Sequence, residues 1–198
     1  DIQLPSTLTA LGVEAFANNE LTDVFIPHLS SYGSGIFADN PITSATFEEG
    51  MTYIPEAMLM STNLQHVELP STVTTIKAGA FRFSKLTSVT FPSSLQVIEE
   101  YAFSDNALTT ITLPSSLTHL FNGAFANNRL TTLTIPENVR EISDEAFQNN
   151  ALRDVTLPHG LTTIWRWAFQ NNQLTTVQIP SMVTSIGDSA FSHNELTT

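Results

Sequence analysis

A near-identical phrase recurs through this chain: AFANNRLTTLTIP at residues 124–136, AFQNNALRDVTLP at 146–158 and AFQNNQLTTVQIP at 168–180. The Leu that opens the second half of the phrase marks its phase. It recurs at Leu21, Ile42, Leu64, Leu86, Leu108, Leu130, Leu152, Leu174 and Leu196, every 22 residues except for a first step of 21. The aromatic of the Ala-Phe pair recurs at Phe16, Phe37, Leu59, Phe81, Phe103, Phe125, Phe147, Phe169 and Phe191 with the same short step. The missing residue therefore lies in the aberrant unit 28–37. A period this short suits one coil of a solenoid and leaves no room for a pair of helices. The predicted organisation is a single domain over residues 1–198, about nine such units, with both ends cut mid-repeat.

Within a unit, L-x-x-V-x-I alternates apolar and polar residues, as Val177 and Ile179 do around Gln178, which reads as a short strand with one face buried. Proline follows at Pro5, Pro27, Pro70, Pro92, Pro114, Pro136, Pro158 and Pro180, and Glu48 replaces it once. Lacking an N–H, it cannot donate to a ladder and ends the strand at a corner. A second apolar pair follows at i, i+3, as in Val73 and Ile76 or Val183 and Ile186. From that Ile to the Phe there is space for a turn or two of helix at most. The small Ala permits close approach, and the Phe is expected to fill the gap between coils. Three places beyond it stands Asn19, Asn40, Asn106, Asn128, Asn150, Asn172 or Asn194, with Thr62 and Ser84 in the remaining units. A carboxamide both donates and accepts, so its expected role is to satisfy the backbone of its own corner and of the next coil.

Composition narrows the function. Only 13% of the residues are charged, and the net charge of −12 opposes a nucleic-acid partner, whose phosphates want a basic patch. There is no cysteine, hence no disulfide framework and no thiolate metal site. No apolar run approaches the roughly 18 residues of a spanning helix, so no membrane insertion is expected. G-x-S-x-G, H-E-x-x-H and a phosphate-binding glycine loop are all missing. The histidines His28, His66, His119, His159 and His193 fall mostly at different phases, so they imply no metal triad. The chain is not expected to be an enzyme or to carry a cofactor.

The pattern L-x-x-V-x-I-P-x-x-V-x-x-I-x-x-x-A-F, spelled LTSVTFPSSLQVIEEYAF at residues 86–103, resembles the BspA-like (Treponema pallidum-type) leucine-rich repeats over essentially the whole chain. The resemblance implies an α/β leucine-rich-repeat solenoid. In it a right-handed curved coil places the L-x-x-V-x-I strands in a parallel β-sheet on the concave face, with short strands, turns and short helical segments on the other sides. It also implies an extracellular or cell-surface location and a role in adhesion or recognition, the partner being a protein or glycan.

Outward positions of the strands fall two and four places after the marker Leu and are mostly Thr or Ser, which are good strand formers with solvent-compatible hydroxyls. Asp23, Phe25, His66, Glu68 and Asp154 break that rule, as do the neighbouring Gln65 and Arg153. They are the candidates for recognition. On the opposite wall, Trp165, Arg166 and Trp167 replace the Gly, Ser, Glu or Lys of other units, with Tyr101 and Phe121 at equivalent phases. Aromatic residues beside Arg favour contact sites, and packing against a neighbouring turn is the competing reading. The leading expectation is a ligand-binding or adhesion module. An architectural spacer within a larger protein and an ice-binding Thr face are the alternatives. Apolar end faces further predict end-to-end self-association.

Overall fold

The computed structural model describes residues 2–197. Their chain winds into stacked coils whose strands pair in parallel, with register steps of 21 residues at the start (Ala10↔Ser31, Asp23↔Ser44) and 22 later (Tyr53↔Thr75, Thr132↔Asp154). The alternating segment forms a first row of strands: Asp23–Ile26, Ser44–Phe47, His66–Glu68, Ser88–Thr90, Thr132–Thr134 and Asp154–Thr156. Burial alternates along them, so Val24 and Ile26 enter the core while Asp23 and Phe25 face solvent.

The short strands expected on another side of the coil form a second row, two residues long in each coil, and it is the more continuous row. Tyr53–Ile54, Thr75–Ile76, Val97–Ile98 and His119–Leu120 form one sheet, and Glu141–Ile142, Thr163–Ile164 and Ser185–Ile186 form another. Each ends on the Ile or Leu of the i, i+3 pair. Two extended residues are too few to show a period, which is why spacing alone concealed them.

The expected helical segments are a point of correction: no helix forms among the described residues. The cause is two left-handed residues in every coil. One lies two places before the Ala-Phe aromatic (Glu14, Gly35, Ala57, Gly79, Tyr101, Gly123, Glu145, Trp167, Ser189), with φ between 50° and 63°. The other lies two places after it (Asn18, Asp39, Ser61, Phe83, Asp105, Asn127, Asn149, Asn171, His193), with φ between 54° and 59°. A right-handed helix cannot pass through either, and for a residue with a Cβ the left-handed well costs about 1–2 kcal/mol. Gly, Asn and Asp meet that demand most cheaply, which accounts for the A-F-x-N-N signature.

The core is one column. Phe81, Phe103, Phe125, Phe147 and Phe169 are fully buried, and successive rings stack with centroids 5.2, 5.3, 5.8 and 5.6 Å apart. Each such burial contributes about 1.5–3 kcal/mol by area. Leu59 interrupts the stack, between Phe37 and Phe81.

The Asn residues act as expected on their own corner but reach the preceding coil, not the next. Asn128 Nδ2 donates to Phe125 O and Ala126 O of its own turn and to Phe103 O of the coil before, at 2.9 Å. Its Oδ1 accepts from Leu108 N at 3.1 Å. Asn40, Asn106, Asn150, Asn172 and Asn194 repeat this pattern. The short coil is closed by Tyr32, which stands where other coils have a core Ile or Leu. Its hydroxyl donates to Pro27 O and accepts from Leu29 N.

Candidate functional site

On the first wall, Asp23 and Phe25 share one strand. Thr22 Oγ1 donates to Asp23 Oδ2 at 2.8 Å, and Phe25 is 54% exposed. Two coils on, His66 and Glu68 share another, with His66 Nδ1 2.9 Å from the hydroxyl of its register partner Ser88. Asp154 faces Thr132 across the ladder, and Arg153 Nε donates to Gln173 Oε1 at 3.1 Å. Six coil steps separate Asp23 from Asp154, roughly 30 Å at the spacing of parallel strands. These residues are separate stations along a wall, and they do not converge on one pocket.

The wall itself is broken. Ladders join its coils two by two, and residues 110–112 and 176–178 belong to no strand. Clefts open beside the breaks: ≈ 450 Å³ between residues 88–93 and 110–114, ≈ 410 Å³ between 111–115 and 132–138, and ≈ 590 Å³ between 154–159 and 176–180. Phe91 lines the first. It occupies a position held by Leu69, Leu113, Ile135 and Leu157 elsewhere. Its ring meets Phe103 edge-on at 5.4 Å and Phe125 of the next coil at 6.3 Å, a wedge between the two. The Thr files therefore form no single plane.

On the wall after the second strand row, Trp165 Nε1 donates to Glu141 Oε2 at 2.9 Å. Arg166 Nη2 pairs with Asp144 Oδ2 at 2.7 Å, which raises the guanidinium pKa, and its charge lies 5.3 Å over the Trp167 ring. Trp167 is one of the left-handed residues, at φ 57°. Further up, the Arg82 guanidinium lies 4.7 Å over Phe83 and 4.9 Å over Tyr101, and bonds Asp105 at 3.2 Å. The Tyr101 ring covers Gly123, and its hydroxyl donates to Glu145 Oε2 at 3.3 Å. Burial, and then the Glu145 carboxylate, push this phenol above its ordinary pKa.

The sequence matches the family described as BspA type leucine rich repeat region, in six copies over residues 1–107 and 74–197. The chain belongs to this family. Among curated proteins no relative matches. A leucine-rich repeat protein from Bacteroides ovatus is similar in structure, with a TM-score of 0.64, 18% identity, and 98% of this chain and 64% of that one covered. A leucine rich cell surface protein from Faecalibacterium prausnitzii is 29% identical with a TM-score of 0.45, over all of this chain and 44% of its own. The pneumococcal vaccine antigen PcpA is 19% identical with a TM-score of 0.47, and 60% of its chain is covered. The B. ovatus likeness shows the fold: stacked coils of a parallel-strand solenoid.

The BspA-type array thus places the sequence candidates on two walls. Arg82 and Phe83 escaped the sequence reading, and Tyr101 and Phe121 entered it only as echoes of Trp167 and Trp165. A signal for Phe83 was present: it stands alone as an aromatic where other coils put Asn, Asp, Ser or His.

Proposed function

We propose that this BspA-type array is a non-enzymatic interaction module, displayed outside the cell or at its surface, that binds a protein or glycan through side chains facing outward from its coils. One observation carries the reading. From Phe37 to Leu174 the repeating Phe and Leu are buried in the core, so difference between these coils is left to outward positions such as His66 and Asp154, with Phe25 at the start of the wall. The surface location follows the resemblance to repeats of bacterial surface proteins. The test is binding of the purified chain to a glycan array and to immobilised extracellular-matrix proteins, beside the joint variant Phe25→Ser, His66→Ser, Asp154→Thr. Lost binding in the variant supports the first wall as the contact face, and unaltered binding rejects it.

A spacer role is the second reading. The monotony of the first wall favours it, since Thr or Ser fills both outward places in the strands at Ser44–Phe47, Ser88–Thr90 and Thr132–Thr134. Deleting the array from its parent protein without loss of binding would establish it.

A further inference from the structure

We propose that the aromatic run from Phe83 to Trp167 is a platform for a neutral polysaccharide, bound as an extended chain along the solenoid axis. This rests on the interaction-module reading but uses a different wall and names the ligand class.

The first ground is conformational. Phe83, Tyr101 and Trp167 hold left-handed backbone, with φ of 59°, 53° and 57°. The same places in other coils are filled by Gly79, Gly123, Asn127, Asn149 and Asn171, for which that conformation is easy, and by smaller side chains such as Ala57, Ser61, Asp105, Glu145 and Ser189. Folding does not call for a bulky ring there. A bulky residue kept at a strained position is an outlier that points to function.

The second ground is continuity. Arg82 bridges Phe83 and Tyr101, Tyr101 lies across Gly123 as far as Glu145, and the next coil in that file presents Trp167. Phe121 and Trp165 flank the file two places earlier in their coils, and Phe83 and Trp165 are 46% and 44% exposed. The run crosses four coil steps, roughly 20 Å at the spacing of parallel chains. The rings are also held still. Glu141 fixes the Trp165 indole, Arg166 lies over Trp167, and His119 stacks on Phe121 at 6.0 Å. Binding to fixed rings loses little side-chain freedom.

The third ground selects the ligand. Three cations along the run are already paired, Lys77 with Glu99, Arg82 with Asp105 and Arg166 with Asp144, while Lys85 bonds the neutral Asn63 and Arg140 lines a cleft with Phe121 and Glu141. An anion finds no open charge in these pairs. A protein partner would seek a pocket that desolvates an anchoring side chain, whereas this surface offers the partly exposed rings of Phe83, Phe121 and Trp165 spaced along the coils. Flat aromatic faces with carboxylates between them suit the apolar faces and hydroxyl edges of a sugar chain.

Affinity electrophoresis through gels cast separately with hydroxyethylcellulose, xylan, laminarin and soluble starch tests the proposal. Retardation by at least one is expected. Trp167→Gly and Phe83→Asn should each weaken it at least fivefold and together abolish it, while the urea midpoint stays level or rises because strained backbone is relieved. The first-wall variant of Phe25, His66 and Asp154 should remain retarded, so this platform and the first wall fail independently. Retardation by none of the four polymers overturns the proposal, as does retardation that survives the double variant. A double variant that unfolds at lower urea reassigns the rings to packing and overturns it as well. So does a protein ligand lost in Trp167→Gly while no polymer is retained.

Discussion

At the residue scale, two positions separate backbone strain from crowding. Gly79 and Gly123 share one place in their coils and nearly one φ, 60° in both. A Cβ at Gly79 meets nothing within 4 Å, whereas one at Gly123 runs into the Tyr101 ring. Gly79→Ala is therefore expected to cost about 1 kcal/mol, the left-handed penalty alone. Gly123→Ala should cost distinctly more, and Tyr101→Ala should bring it back to the Gly79 value; urea melts of the variants measure both. The buried amides set a second expectation. Asn128→Ala strands Leu108 N away from water, at about 1–3 kcal/mol for one buried group left unpaired, and leaves Phe103 O with Asn106 Nδ2 alone. Asn128→Ser should cost less, because Ser84 Oγ already reaches Leu59 O of its preceding coil at 2.6 Å.

At the scale of elements, the first strand row is interrupted where Phe91 stands in for a smaller residue. Phe91→Leu is expected to let residues 110–112 join the ladder of Ser88–Thr90, and amide hydrogen exchange at Thr112 should slow as a result. Unchanged exchange would clear Phe91 of the role. The contrast between the two rows also shows what could be read in the letters. Coil length, the Phe column and the first-row strands repeat at fixed spacing, so the periodicity displayed them. The second row is two residues long in each coil and has no period of its own. The left-handed residues were hidden because Glu14, Ala57, Tyr101 and Trp167 occupy them without a Gly or Asn to announce it. The same substitution concealed the aromatic platform: Phe83 is conspicuous only once its place is known to demand positive φ.

For the whole molecule, each coil is covered by the next, and the last described coil shows what exposure means. Ile164 is fully buried, while Ile186, at the same place one coil on, is 50% exposed, with Ile179, Met182 and Leu196 also open. A chain of these residues alone is expected to stack end to end, so sedimentation velocity should show a size that grows with concentration. Ile186→Lys with Met182→Glu should return it to a single species, and one species before substitution would count against stacking. The Asn hydrogen bonds add a direction to this architecture. Leu108 N finds its partner only in Asn128, a residue translated 20 positions later. On the ribosome each winding thus stays incomplete until its successor has emerged, and the growing tip is the part of the nascent chain most in need of a chaperone.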